Sequence, residues 1–214
     1  AQQWLEEIIQ LNPLCLKAYD VLSEILAERG DHQSQQKLLQ QVVDISPLAI
    51  LRQQSLGAVA LKNNDLAASA NAYRRAVKLG ENSCHDAQEA HSNFARASIQ
   101  LAKLDKQAAK PLLRDVLKAL DEMPDKFGKS TENRIESYLL EAQLQQVTGE
   151  ERRGREALAA AQKLMVGEES SLEIQIELAK TFRELGETAA CENLTAQLLA
   201  DYAGQEAEMQ QIDC

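Results

Sequence analysis

The sequence predicts an all-α fold made of paired helices, and three observations support this prediction. Only 9 glycines and 4 prolines occur among the 214 residues, whereas alanine, leucine, glutamine and glutamate are abundant. These abundant residues lose little side-chain freedom in a helix. Small and aliphatic residues recur at the spacing of one helix face, which can pack against a neighbouring helix. Turn signals also return at a fixed interval, which indicates an internal repeat.

The interval between the turn signals is 34 residues, as the positions of Pro13 and Pro47 show. Gly30–Asp31 is followed at the same distance by Asn64–Asp65. Glycine or asparagine can take the left-handed conformation that ends a helix, and the aspartate after it can cap the next helix. Each proline lies where a second helix must stop. Apolar residues match between the two intervals at four pairs of positions: Leu22 and Leu56, Leu26 and Ala60, Leu39 and Tyr73, Val42 and Ala76.

These residues resemble the tetratricopeptide-repeat family. Leu56–Gly57 is similar to the Leu-Gly pair of the family's first helix, and Ala76 is similar to the small residue late in its second helix. Pro47 matches the family's closing proline, and the stretch 72–79 looks like a typical second helix. The resemblance implies a right-handed superhelical solenoid of about five antiparallel helix pairs, in which the first helices line a concave groove.

The pattern divides the chain into one half-repeat and five repeats. The expected boundaries are 1–12 for an N-terminal half-repeat, then 14–47, 48–81, 84–128, 131–167 and 170–202, followed by a polar tail or capping helix at 203–214. Gln35 and Ser69 stand where the family usually has alanine. These two residues predict either looser packing or a polar contact with a backbone carbonyl.

The third repeat, 84–128, is longer than the others and has no clear glycine turn. We expect its helices at about 86–103 and 107–122. Pro111 then lies close to the first turn of the second helix, where a missing N–H is tolerated. The segment 123–128 contains both a proline and a glycine, so we expect it to be the loop to the next repeat.

The N-terminal half-repeat carries apolar residues without a visible partner helix. Trp4, Leu5 and Ile8 fall on the packing positions of a second helix, but no first helix precedes them. Such a half-repeat exposes an apolar face, whereas solenoids normally end in a polar cap. Because the chain also opens with Ala1 instead of methionine, we expect more sequence upstream. The alternative is that the lone helix serves as a cap.

A second resemblance is narrower and covers a smaller part of the chain. Residues 46–57 and 72–80 are similar to the repeat region that follows a receiver domain in some bacterial response regulators. This resemblance implies a phosphoacceptor domain upstream and a protein-binding output role for the present segment. None of the receiver's own residues occur here, so the resemblance assigns no phosphorylation site.

Composition disfavours nucleic acid and membranes as partners. The formal net charge is −10, whereas a duplex-binding surface needs clustered lysine and arginine. The short basic cluster Arg152, Arg153 and Arg155 is interleaved with acids, which is typical of a solvated helix start. No apolar run reaches the ~20 residues that a bilayer crossing requires, and no signal peptide is visible. The four cysteines have no paired spacing, so we expect reduced thiols in a cytoplasmic protein.

The sequence contains no motif for catalysis or cofactor binding. Cys84, His85 and His91 lie near one another, but a zinc site uses four ligands at short paired intervals, which this cluster does not supply. Gly-rich phosphate loops, GxSxG elbows and Glu-x-x-His pairs do not occur. We therefore expect a protein that is not an enzyme and that holds neither a metal nor a cofactor.

The tetratricopeptide resemblance places the binding residues on the first helices, where a groove can receive a partner segment. Chaperone adaptors of the family hold a C-terminal carboxylate with Lys and Asn, but Asp20 and Glu24 occupy the corresponding places here. Acidic peptide tails should therefore be repelled. The implied groove residues are Lys17, Asp20, Glu24, Gln54, Arg96, Gln100, Gln143, Lys180 and Arg183, with Glu28, Leu51, Ala58, Leu61, Ser92, Gln146 and Ile176 as further members.

The leading functional prediction is a non-catalytic scaffold or adaptor that binds a protein partner in this groove, as an output segment in bacterial signalling. The alternative is self-association, in which the half-repeat docks on another copy of the chain. A small-ligand sensor is disfavoured, because the candidate groove has few aromatic or convergent polar groups.

Overall fold

The computed structural model describes residues 1–81, 83–165 and 171–201. The described residues form eleven helices and no strand, which confirms the all-α prediction. The end of the predicted last repeat and the predicted tail, 203–214, lie outside the described residues. In chain order the helices are α1 Gln2–Leu11, α2 Leu16–Glu28, α3 His32–Ile45, α4 Ile50–Lys62, α5 Leu66–Gly80, α6 Gln88–Leu104, α7 Lys106–Phe127, α8 Thr131–Thr148, α9 Glu151–Met165, α10 Leu172–Glu184 and α11 Thr188–Asp201.

The chain divides into two compact units, Ala1–Val116 and Leu117–Cys214, which we call unit 1 and unit 2. Unit 1 holds α1 to α6 and the first half of α7, and unit 2 holds the rest of α7 and the helices after it. In unit 1 each helix from α1 to α6 packs on the next one in the chain, most extensively α4 with α5, and in unit 2 α8 packs on α9 while α10 packs on α8 and α11. Each unit is therefore a stack of helix pairs.

The turns inside the helix pairs have the left-handed backbone that the sequence predicted. Gly30, Gly149 and Gly186 have φ angles of +70°, +91° and +77°. Asn64 takes the same role with a φ of +57°, and it is the one non-glycine residue with positive φ in the described chain. Asparagine tolerates this conformation better than most residues with a side chain. The turns predicted at Gly30 and Asn64 are confirmed, and Gly149 and Gly186 form turns of the same kind.

The aspartates that follow two of these turns cap the next helix, as predicted. The carboxylate of Asp31 accepts a hydrogen bond from the backbone N–H of Ser34 at 3.1 Å. Asp65 accepts from the N–H of Ala68 at the same distance. The first N–H groups of a helix have no partner inside it, so each cap satisfies a donor that would otherwise be unpaired.

The prediction for the third repeat was wrong at its second helix. The segment 123–128 was expected to be a loop, but α7 continues to Phe127 and Met123 is only 2% exposed. Pro124 therefore lies in the last turn of α7, and Pro111 lies in the second turn instead of the first. Each proline removes one helical hydrogen bond. The burial of Met123 and of other apolar residues of α7 outweighs this loss.

Second helices contribute two apolar stripes, and each stripe packs on a different first helix. In α3, Leu38 and Val42 join a core cluster with residues of α2. Leu39 and Val43, one position further along, join a cluster with Leu56 of α4. A second helix therefore links its own repeat to the following one, which is how neighbouring repeats share a continuous core.

Two polar residues at alanine positions of the repeat make hydrogen bonds. The hydroxyl of Ser69 is fully buried and donates to the carbonyl oxygen of Gly57 at 2.9 Å. This bond is the polar contact with a backbone carbonyl that was one of the two predicted alternatives. Gln35 reaches a side chain instead: its amide donates to the hydroxyl of Ser23 at 3.2 Å. Both contacts join the two helices of one repeat, so neither residue is left unpaired.

Helix α1 packs one of its two apolar stripes against the neighbouring helices and leaves the other exposed to solvent; we call the exposed one the open stripe. Leu5 and Ile9 pack on the cluster that α2 and α3 form. Trp4, Ile8 and Leu11 are 74%, 42% and 87% exposed, so the predicted exposed apolar face is present. One 34-residue interval later, the residues equivalent to these three pack on α2. By analogy with α3, the open stripe of α1 is the kind of apolar surface that packs on another helix.

Candidate protein-binding surface

The first helices of unit 1 each present a partly exposed stripe at helical spacing. We call these three stripes together the first-helix face. Its polar and apolar members are mixed, and it includes eight of the predicted groove residues and one further residue. The face consists of Lys17, Asp20 and Glu24 on α2, Leu51, Gln54 and Ala58 on α4, and Asn93, Arg96 and Gln100 on α6.

Asp20 is less available to a partner than the sequence suggested. Its carboxylate lies 3.5 Å from the guanidinium of Arg52, a residue of the neighbouring first helix α4. The Arg52 side chain is only 24% exposed, so this pair is partly shielded from solvent. Lys17 and Glu24 are exposed. Repulsion of an acidic peptide tail therefore depends mainly on Glu24, because Arg52 offsets the charge of Asp20.

The register of α6 differs by one position from the predicted one. Ser92 was predicted to face the groove, but it is 1% exposed and lies in the core. Asn93 takes that place, while Arg96 and Gln100 lie on the same stripe as predicted. Ser92 lies four positions before Arg96 and Asn93 lies three before it, and both spacings fit one helix face, so the sequence alone did not distinguish the two residues.

A cavity of about 220 Å³ opens on the first-helix face between α4, α5 and α6. The side-chain amide of Asn93 donates to the hydroxyl of Tyr73 at 3.3 Å. Burial raises the pKa of Tyr73, and the negative charge of Glu89 raises it further, so the phenol stays protonated at neutral pH. The lining residues are Gln54, Ser55, Ala58, Tyr73, Ala87, Glu89, Ala90 and Asn93.

In unit 2, the predicted groove glutamines hold helices together. The side-chain amide of Gln143 in α8 donates to Glu177 and to Thr181 in α10, both at 3.1 Å. Gln146 donates to the backbone carbonyl of Glu184. These bonds tie α8 to α10, so both amides are already engaged.

The remaining predicted groove residues of unit 2 lie on α10. Lys180 is half-buried and Arg183 is exposed. Ile176 was also predicted to face the groove, but it is 8% exposed and packs with Leu198 of α11, so this prediction was wrong. The sequence could not separate a groove position from a core position here, because both fall on the apolar side of the helix.

The basic cluster at the start of α9 is paired with acids. Arg152 contacts Glu156 at 3.1 Å, and Arg155 contacts Glu151 at 3.8 Å and Glu187 at 3.5 Å. This arrangement offers little unbalanced positive charge to a phosphate. In the described residues, no group of three histidine, cysteine or acidic side chains is placed to hold a metal ion. None of the described helices has both the length and the apolar character of a membrane span.

No protein-family model and no curated protein matches the sequence. Solved structures do resemble it. A tetratricopeptide-repeat protein from Parabacteroides merdae aligns over 94% of this chain and 72% of its own, with 15% identity and a TM-score of 0.63. A thermophilic repeat protein from Thermus thermophilus aligns over 89% of this chain and 93% of its own, with 16% identity and a TM-score of 0.58.

A third similar structure is YrrB, described as a repeat protein with an unusual peptide-binding site. It aligns over 98% of both chains, with 11% identity and a TM-score of 0.55. Identities this low establish the fold and leave function open. The chain has the fold of the tetratricopeptide-repeat proteins.

Proposed function

We propose that the chain is a non-catalytic scaffold that binds a protein partner on the first-helix face of unit 1. The observation that carries this proposal is the cavity on that face, with three first-helix stripes that mix apolar, amide and charged side chains. Such mixed surfaces suit a peptide, because apolar patches anchor side chains while amides bond the peptide backbone. The exposed Leu51 supplies an apolar contact beside the cavity.

Two further considerations support this function. YrrB, which shares the fold, is described as having a peptide-binding site. The resemblance of residues 46–57 and 72–80 to the repeat region of some response regulators favours a role in bacterial signalling. We extend the proposal accordingly: the partner is a cytoplasmic protein, and the chain transmits a signal to it.

The proposal can be tested by capture of partners from an extract of the source organism. Ala58 lines the cavity and is half-buried, so Ala58→Arg should fill the cavity without entering the core. Ala67 is exposed on the second helix α5, so Ala67→Arg adds the same charge elsewhere. We expect proteins that the unaltered chain and Ala67→Arg both capture to be lost with Ala58→Arg. Capture that all three baits share equally would contradict the proposal.

Self-association is a second candidate function, and the open stripe of α1 favours it. Trp4, Ile8 and Leu11 form an exposed apolar strip, and such strips mark interaction surfaces in many proteins. Sedimentation velocity at several concentrations distinguishes the two functions. Association that rises with concentration and is abolished by Trp4→Glu would support it, whereas a monomer throughout would exclude it.

A further inference from the structure

We propose that the cavity between α4, α5 and α6 receives a basic side chain, lysine or arginine, of the partner segment. This inference rests on the proposed function and names the chemistry that the first-helix face selects. The relevant residues are those of the cavity lining, and each of them belongs to unit 1. The charge of the lining, its hydrogen-bonding groups and its size are three separate arguments.

Glu89 is the only charged residue in the described lining of the cavity. It is exposed, so a partner can reach it, and within the described part of the chain its carboxylate makes neither a hydrogen bond nor an ion pair. Its place in the first turn of α6 makes a negative charge tolerable there. The helix N-terminus does not itself provide a cation, so a lysine or arginine of the partner would form an ion pair with Glu89. A partner carboxylate would instead be repelled.

The hydrogen-bonding groups of the lining also favour a donor-rich ligand. One amide N–H of Asn93 donates to the hydroxyl of Tyr73, and the carbonyl oxygen of the same amide is available as an acceptor. The hydroxyl of Ser55 donates to the backbone of Leu51 at 3.0 Å, so only its lone pairs remain. Lysine and arginine side chains are rich in donors and carry no acceptor. They therefore complement these groups, while Gln54 can bond the peptide backbone beside them.

The size of the cavity suits one long side chain. Its volume of about 220 Å³ is below the range of about 300–1,000 Å³ typical of small-molecule sites. The walls include Ala58, Ala87 and Ala90, which can cover the methylene groups of a lysine or arginine stem. The charged end of the stem would then meet Glu89. A lysine or arginine side chain fills such a site better than a complete ligand does.

The test uses the full chain and a displayed library of random twelve-residue peptides. Three proteins are compared: the unaltered chain, Glu89→Gln, and Glu7→Gln. Glutamine keeps the shape of Glu89 but removes its charge, and Glu7 is an exposed acid on α1 outside the cavity. Enriched peptides are then synthesised with acetylated N-termini, so that a free terminal amine cannot replace the side chain. Their basic residue is also replaced by norleucine, which has a similar length and no charge.

We expect one position of the enriched peptides to be lysine or arginine. The norleucine peptide should bind the unaltered chain about tenfold more weakly, the loss typical of one charge-assisted hydrogen bond. Glu7→Gln should show the same loss, and Glu89→Gln should bind both peptides equally. Thermal unfolding of Glu89→Gln confirms that this variant is folded.

Two results would overturn the inference in different ways. Peptides that are blocked by Ala58→Arg but show no basic preference would overturn the basic-side-chain site and leave the proposed function standing. Peptides that bind regardless of Ala58→Arg, or a library that yields no binder, would count against both proposals. If Glu89→Gln still binds the basic peptide more tightly than the norleucine peptide, another acidic residue must bind the basic side chain. That result would overturn the assignment to this cavity.

Discussion

A single carbon atom separates glycine from alanine, and at position 57 the ring of Tyr73 occupies the place of that atom. A Cβ built on Gly57 would lie 2.7 Å from two ring carbons of Tyr73. The two helices of this repeat therefore approach closely because position 57 has no side chain. The Leu-Gly pair that indicated the family in the sequence thus has a direct packing reason in this chain.

We expect Gly57→Ala to lower the free energy of unfolding. Overpacking a core costs about 1–3 kcal/mol, and the better helix propensity of alanine offsets about 1 kcal/mol of that cost. In a Tyr73→Leu background the clash is removed, so the same change should then be neutral or stabilising. Urea unfolding followed by circular dichroism measures both effects. An equal loss in the two backgrounds would show that the ring is not the cause.

Glu141 in α8 gives a pH-dependent prediction. Burial raises the pKa of its carboxyl above the ordinary value of 4.5, and the charge of Asp121 raises it further, while Arg153 acts in the opposite direction. The folded state therefore binds this proton more tightly than the unfolded chain does. It follows that stability is lost as the pH rises from about 4.5 through the raised pKa, because the folded chain must then hold a partly buried charge.

We accordingly expect Glu141→Gln to unfold at a higher temperature than the unaltered chain near neutral pH, and at nearly the same temperature below pH ~4. Glu192 of α11 is exposed, so Glu192→Gln is the matched control and should show little pH-dependent difference. Thermal unfolding across this pH range is the measurement. A stabilisation that is equal at both ends of the range would contradict the titration argument.

At the scale of the elements, a single residue separates α6 from α7. Asp105 is the only residue between the two helices. Its carboxylate accepts from the backbone N–H groups of Gln107 at 2.9 Å and Ala108 at 3.0 Å. The turn needs no glycine, because Asp105 keeps negative φ at −143°. The chain therefore ends one helix and starts the next without the turn signal that marks the other repeats.

We expect Asp105→Ala to cost about 0.5–2 kcal/mol of stability, the usual value for loss of an N-cap. Asp125 lies exposed in the last turn of α7, so Asp125→Ala removes the same charge without removing a cap. Denaturant unfolding at neutral pH compares the two variants. Equal losses would show that charge and not capping is responsible.

Features with a local cause could be predicted from the sequence, whereas those that depend on tertiary packing could not. The left-handed turns at Gly30 and Asn64 follow from the residue type and its neighbours. The continuation of α7 past Pro124 does not, since it depends on the burial of Met123 in the folded chain. The exchange of Ser92 for Asn93 on the first-helix face has a similar origin. One position is about 100° of rotation on a helix, and only packing fixes that angle.

At the scale of the whole molecule, an acidic scaffold favours a partner with positive charge. The net charge of −10 should attract a basic segment and repel acidic ones, with an effect that salt weakens. The first-helix face adds local selection through its cavity and its exposed Leu51. The long-range attraction therefore sets the rate of encounter, and the face sets which segment stays bound.

The most direct test of the central claim is site-specific photo-cross-linking in extract. A benzophenone amino acid replaces Leu51, which is exposed on the first-helix face, or Asn71, which is exposed on the second helix α5. Because benzophenone reacts only with atoms in contact, the covalent product reports where the partner lies. We expect a partner protein cross-linked from position 51 and not from position 71. Products from position 71 alone, or products that contain only a second copy of this chain, would contradict a partner on the first-helix face.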